Sequence, residues 1–438
     1  MDTHAYWQSP TWPPGHDWEP DSWSIPNTSM VNDRAGGTIA VAARQRVRGK
    51  PHNVSEYQHP SPNSYAAEGP LLSAAYASLQ DWDGLWFFDY ATDENQFVTG
   101  FTNHGAHPCR MVNNILAAAL FRRGDVKVAQ EEFTFSLSAE KEVDVAASKG
   151  MPRSIADGAV LGVPATLSLR SRLDLSIGSD AAGASPIINQ NPGAVVVSDT
   201  AELRWDNSRA DRGVVTIDTV RTKAVVGFVD GRDWNLGGVQ IKPGATRHDW
   251  CTIGITLIEG TSFDSPAAGK AVLVATGDSE NTGQKWTDAT HTSVGTGWGT
   301  SPTLVEVVPA TVILPVSAAR VTAWALDERG QRTSSLQVRA NGGNAELSLG
   351  ANGVTLWYEV SIGSAPSGGG DPPSKPTAVN SSGSSGGGAP GLWYLAALGG
   401  ALLSRYCIRR QRRGWILCGA GSSLIKSLSE RSGKKQTT

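Results

Sequence analysis

A glutamate closes a short apolar run, Val54-Ser55-Glu56-Tyr57, shortly after Gly49-Lys50-Pro51. A carboxylate at the C-terminal end of a buried strand can reach a bound substrate. Polar and aromatic groups recur about one strand–helix unit to either side, as His4-Ala5-Tyr6-Trp7 upstream and Trp86-Phe87-Phe88-Asp89-Tyr90 downstream. Aromatic faces edged with N–H or O–H groups suit the C–H faces of sugar rings. Trp7, Trp12, Trp18, Trp23, Tyr57, Trp82 and Trp86 supply such faces, with Trp86 the foremost candidate, whereas Phe87 and Phe88 read as core. Glu68 is expected near a helix start, where its charge meets the positive end of the dipole, and Asp81 and Asp83 as turn formers. None of these three is assigned catalysis.

The elements that must position these groups follow from patterning. Compact apolar runs at 54–57 and 85–90 predict brief buried strands, and the stretches 65–79 and 108–122 predict helices. Strand, helix, strand, helix is an α/β pattern. From about residue 125 to 363, short Val, Ile, Leu and Thr runs broken by Gly, Asn, Asp and Pro predict antiparallel strands, among them 213–220, 224–229, 251–258, 304–314, 321–327 and 354–362. They predict one or two β-sandwiches. A division near 297 would separate a larger accessory sandwich, 125–296, from a smaller one, 297–363. Residues 364–390 are too rich in Gly, Ser and Pro to bury apolar surface and read as a flexible linker.

The 438 residues carry 38 Lys plus Arg against 41 Asp plus Glu, a formal net charge of -3, so no overall cationic field favours nucleic acid. Four scattered cysteines form no C-x-x-C pair, which argues against a zinc site or a disulfide framework. Gly36-Gly37 and Gly297-Trp298-Gly299 lack phosphate-loop spacing, and no G-x-S-x-G elbow occurs. No cofactor or metal is implied.

Taken together, the three segments around positions 4, 56 and 86 resemble the last three barrel strands of clan A glycoside hydrolases, the retaining TIM-barrel glycosidases. His4-x-Tyr6 resembles the strand-six pair, Val-Ser-Glu-Tyr the strand-seven nucleophile, and the segment 83–90 strand eight. The resemblance implies hydrolysis of a β-linked glycan. Glu56 would be the nucleophile, and a second carboxylic acid about 5–5.5 Å away would protonate the leaving oxygen. It assigns His4, Tyr6, Trp7, Tyr57 and Trp86 to the substrate site, with Tyr6 holding Glu56 ionised and aimed and His4 bonding a substrate hydroxyl or tuning a neighbouring carboxyl.

The family's acid/base glutamate belongs to strand four, and no such segment precedes His4. The expectation is therefore an α/β plus all-β chain: an incomplete (β/α)8 barrel of three strand units over 1–124, the sandwiches, the linker and a C-terminal hydrophobic helix. Three strands of eight leave two unpaired edges. Loss of the acid forfeits roughly 10²- to 10⁴-fold in rate, so little activity is expected from the chain alone. A mis-started or split reading frame, or an upstream polypeptide partner, would explain the missing half. The alternative is a carbohydrate-binding or structural sandwich fragment of a cell-surface protein, with Trp205, Trp234, Trp250, Trp286 and Trp298 as candidate platforms.

No export signal is apparent at the N-terminus. Residues 391–404 (GLWYLAALGGALLS), followed by Arg405, Arg409, Arg410, Arg412 and Arg413, predict a hydrophobic helix with a positive flank over 391–413. The stretch is short of the roughly 20 residues that span a bilayer. It resembles bacterial C-terminal sorting signals and implies a membrane-anchored or surface location, given export. The tail 414–438 extends beyond that pattern.

Overall fold

Alternation along the first strand sets one face towards the core. In β1 (Asp2–Tyr6), Thr3 and Ala5 are buried while Asp2 and His4 are exposed, the period of two expected of a half-buried strand. β1 pairs in parallel with β2 (Asn53–Gln58), which pairs in parallel with β3 (Gly84–Phe87), in the order β1-β2-β3. The register slips once: Thr3 faces Val54, but His4 faces Glu56. Ser55 is the extra residue, a β-bulge. Through it Val54 and Tyr57, three positions apart, both reach the core.

The computed structural model describes residues 1–91, 97–149, 161–178, 193–229, 231–264, 268–350 and 354–364. Behind the parallel sheet lie α1 (Gly37–Ala43), α2 (Glu68–Leu79) and α3 (Pro108–Leu120). Every residue of α2 is buried, as its almost wholly apolar sequence requires. One side, through Ala77, joins the core of Ala5, Val54 and Tyr57. The other, through Leu71, Leu72 and Tyr76, joins Trp205, Val226 and Trp250, and the rings of Tyr76 and Trp205 are 5.7 Å apart. α3 starts on Pro108, with the His107 side chain accepting from Arg110 N at 3.3 Å. It buries Cys109, Asn113, Leu116 and Leu120 along one side. Gly254 lets it approach, since a Cβ there would meet Leu116 at 2.6 Å.

The sheet beneath these helices has nine antiparallel strands. Their order is Arg332–Leu336, Val321–Leu326, Trp357–Ile362, Gly269–Thr276, Trp250–Glu259, Thr222–Phe228, Val214–Asp218, Leu203–Asp206 and Val195–Val197. Its far face packs on a five-stranded antiparallel sheet ordered Trp234–Leu236, Val239–Pro243, Ala310–Leu314, Asn344–Leu349 and Val338–Asn341. Val225, Ile253, Ile255 and Leu273 meet Val239, Ile241, Val312 and Leu347 between the two sheets, the interdigitated core of a sandwich. A separate parallel pair, β4 (Glu132–Leu137) and β5 (Arg172–Ile177), joins the core under β1 and β2.

These layers overturn the expected fold class. Among the described residues strands make up 36% against four short helices, the sheets are large, and no ring of helices encloses a barrel. Of the helices that suggested barrel units, α2 is clamped between the parallel sheet and the nine-stranded sheet, and α3 packs on α2 and the nine-stranded sheet, so neither forms part of a barrel wall. Strands from both sides of residue 297 share both sandwich sheets. The expected run 304–314 is two strands, Thr300–Val305 and Ala310–Leu314, in different sheets. The C-terminal hydrophobic helix is not among the elements found: the linker from 365, the segment 391–413 and the tail lie outside the described residues. No helix of the described residues is long and apolar enough to cross a membrane.

Buried polar groups tie the α/β unit to the sandwich. The Val31 carbonyl accepts from Trp205 Nε1 at 3.0 Å and Asn207 Nδ2 at 2.6 Å. Glu68, first residue of α2, accepts from Met30 N at 2.5 Å, and its other oxygen is 2.5 Å from Ser29 Oγ, which also receives Trp250 Nε1 at 3.2 Å. Burial pushes the Glu68 carboxyl up to about 8, against the pull of these donors. The unfolded chain releases this proton first, at its ordinary value of 4.5, so Glu68 makes stability fall as pH rises from 4.5 to about 8, with no change outside that window. Glu68→Gln removes the titrating carboxyl and keeps an acceptor for Met30. It is expected to match the parent near pH 5 and to exceed it near pH 8, whereas Glu68→Ala lies about 1–3 kcal/mol below Glu68→Gln at both. Urea midpoints at the two pH values check this, and equal pH dependence of parent and Gln variant would contradict it.

Candidate active site

The face of the parallel sheet turned away from the helices carries the candidate chemistry. Alternation places Asp2, His4 and Tyr6 of β1 there, and the bulge adds both Ser55 and Glu56 of β2. Asp2 holds the bulge: Ser55 N donates to Asp2 Oδ1 at 3.2 Å and Ser55 Oγ to Oδ2 at 2.8 Å. Tyr6 Oη donates to Glu56 Oε2 at 2.5 Å, and His4 Nδ1 lies 3.3 Å from the same oxygen. Glu56 Oε1 has no hydrogen bond among the described residues. With its side chain 28% exposed, the carboxylate has one oxygen fixed and one open.

The Tyr6 phenol is half-buried, and its proton is held firmly. Burial raises it well above the ordinary tyrosine value, followed by the bond to Glu56 and the charges of Glu56 and Asp89. Tyr6 is therefore a hydrogen-bond donor throughout the physiological range. Its ring meets Phe88 edge-on at 6.3 Å.

Not every residue assigned by the resemblance joins this cluster. Tyr57 points the opposite way, buried, with its hydroxyl 3.0 Å from His59 Nε2. Trp7 follows the strand end, donates Nε1 to the Thr28 carbonyl at 2.8 Å and packs beside His59. Trp86 is on the open face and 52% exposed. Its indole leans back along β3 across Gly84, where a Cβ would meet the ring at 2.2 Å and Asn53 Oδ1 at 2.7 Å. Trp23 and Trp82 are core.

Three residues of the cluster escaped the sequence reading. Asp2 and Ser55 act through the bulge, whose trace in the sequence is the apolar spacing of three in Val54-Ser55-Glu56-Tyr57. Asp89 follows β3, and its charge acts on Tyr6. Its Oδ1 is buried without a hydrogen-bond partner.

Of the sandwich tryptophans, Trp205 and Trp250 are 1% exposed and belong to the core. Trp298 stacks on Trp23 at 5.6 Å, Trp286 on His291 at 4.8 Å, and Arg232 lies over Trp234 at 4.7 Å. Compared with known proteins, the chain matches no family model, no curated sequence and no solved structure.

The overlap of Trp86 with Gly84 yields a stability test of this face. Gly84→Ala is expected to cost about 1–3 kcal/mol through overpacking, and Gly84→Ala/Trp86→Ala to recover most of it relative to Trp86→Ala. Urea denaturation checks the cycle, and an equal cost with and without Trp86 would contradict the placement of the indole.

Proposed function

We propose that the chain carries the nucleophile side of a retaining glycoside hydrolase site, with Glu56 as the attacking carboxylate and a β-linked glycan as substrate. The observation that carries this reading is the fixed geometry at Glu56: Tyr6 Oη at 2.5 Å and His4 Nδ1 at 3.3 Å on one oxygen, with the other oxygen open. A hydrogen bond from a firmly protonated phenol fixes that oxygen and orients the carboxylate. Oε1 would attack the anomeric carbon, forming a glycosyl ester as the bond to the leaving oxygen breaks and that oxygen takes the electron pair. His4, about half-exposed, would bond a sugar hydroxyl.

A natural leaving alkoxide needs a proton as it departs. Among the described residues no hydrogen bond or ion contact of Glu56 involves a second carboxylic acid; the resemblance assigns the proton donor to a strand unit that a second polypeptide would supply, and the chain alone would act weakly on unactivated glycosides. The alternative of a sugar-binding sandwich is less supported, because Trp205 and Trp250 are buried.

A 2,4-dinitrophenyl 2-deoxy-2-fluoro-β-glycoside separates these requirements. Its phenolate leaves without protonation, and the fluorine slows breakdown of the ester. The gluco, galacto and manno probes are each tested. At least one is expected to add a single glycosyl mass to the peptide containing Glu56. Glu56→Gln should abolish labelling, and Tyr6→Phe should slow it about 10- to 100-fold, the equivalent of about 1.5–3 kcal/mol for a hydrogen bond to a charged group. Labelling at another residue, or none with any probe, would overturn the proposal.

A further inference from the structure

Beyond the Glu56 cluster, the segment after β1 carries a pair of indoles, Trp12 partly buried and Trp18 exposed. Thr11 and Ser24 exchange backbone hydrogen bonds of 3.0 and 2.9 Å, closing the intervening residues into a loop. Its base is braced by buried Trp23, which meets Phe101 edge-on at 4.8 Å. Trp12 meets Phe101 edge-on at 6.0 Å and donates Nε1 to the Glu19 carbonyl at 3.0 Å. On Trp12 leans Trp18, with ring centroids 4.7 Å apart.

Trp18 is 79% exposed. It also occupies the left-handed region, at φ 65°, which a bulky side chain adopts at a cost of about 1–2 kcal/mol. Folding thus gains little burial from this ring and accepts backbone strain to present it. Strain kept in a braced loop points to a use for the side chain held there.

The groups beside the ring define what fits. Glu19 Oε2 is 2.8 Å from His16 Nδ1 and accepts from Ser22 Oγ at 3.0 Å. These two contacts, the His16 bond first, hold Glu19 below its ordinary value despite a small opposing effect of burial, so it is ionised at neutral pH. Asp17 and Asp21 flank it in the sequence. An open indole face rimmed by hydroxyl-bonding acceptors and negative charge suits a neutral sugar ring and repels an anionic one.

We infer that Trp18, propped on Trp12, is a platform for a neutral polysaccharide. Phe101, which buttresses it, follows β3, as the loop itself follows β1, so the platform is built from chain that continues from C-terminal strand ends of the parallel sheet. The inference deepens the glycosidase reading and rests on it for the substrate class, which becomes a polymeric neutral glycan.

Affinity electrophoresis of the full chain in gels containing barley β-glucan, carob galactomannan or potato galactan tests it. The parent is expected to be retarded by at least one, with apparent affinity falling at least tenfold in Trp18→Ala. Trp18→Gly should lose affinity equally while unfolding at the same or higher urea concentration, since glycine accepts the left-handed backbone. Unretarded migration of the parent in all three gels, or Trp18→Ala migrating like the parent, overturns the platform. Destabilisation by Trp18→Gly also overturns it, by showing that the ring serves packing. Labelling of Glu56 by the monosaccharide probe is unaffected by Trp18→Ala, so labelling without retention refutes only the platform. Trp18-dependent retention without labelling refutes only the nucleophile.

Discussion

Two apolar side chains three residues apart on one strand cannot both enter the same core unless the strand carries an extra residue between them. In β2 that residue is Ser55. Its presence lets Val54 and Tyr57 pack beneath the sheet while Ser55 and Glu56 share the opposite face. Asp2 ties down the inserted residue from the neighbouring strand. The same β1 places His4 and Tyr6 on the Glu56 carboxylate. Core packing and site geometry are thus one constraint: the hydrophobic demand of Val54 and Tyr57 creates the irregularity that presents the carboxylate.

This small parallel sheet has only three strands, and its firmness comes from what lies behind it. α2 fills the space between it and the nine-stranded sheet, apolar on every side because both sides are covered. Buried polar groups also cross between the two. The Val31 carbonyl accepts two side-chain donors from the sandwich, and Glu68 gathers Ser29 and Met30 at the start of α2. A buried group left without such partners would cost about 1–3 kcal/mol. The sandwich thereby works as a foundation, and the loop that follows β1 and the strand β3 can hold the exposed rings of Trp18 and Trp86 without collapse.

Much of this organisation was legible in the sequence, in uneven measure. The apolar runs around Val54 and Leu85 mark β2 and β3, and the expected helices span Glu68–Leu79 and Pro108–Leu120. The strands near 214–218, 222–228, 250–259 and 321–326 follow from β-branched runs between turn residues. The arrangement of these pieces did not follow. A strand–helix alternation reads the same whether helices ring a barrel or sit between two sheets, because local pattern records that a face is buried and not what buries it. For the same reason Trp205 and Trp250 passed as possible sugar platforms. Residues on both sides of 297 entered common sheets through pairings such as Val274 with Trp357, which no local signal carries. At the candidate site, Glu56, Tyr6 and His4 are brought together, while Tyr57 and Trp7 turn elsewhere. The bulge decides the turn of Tyr57, and its only trace is an apolar spacing of three that breaks the strand period of two.

The most direct test of the account is a crystal structure of the chain after reaction with the activated 2-fluoro glycoside that labels it. The account predicts continuous density from the anomeric carbon to one oxygen of Glu56, with the Tyr6 hydroxyl still bonded to the other. A sugar joined to any other side chain, or a Glu56 carboxylate left free beneath an intact Tyr6 contact, would contradict it.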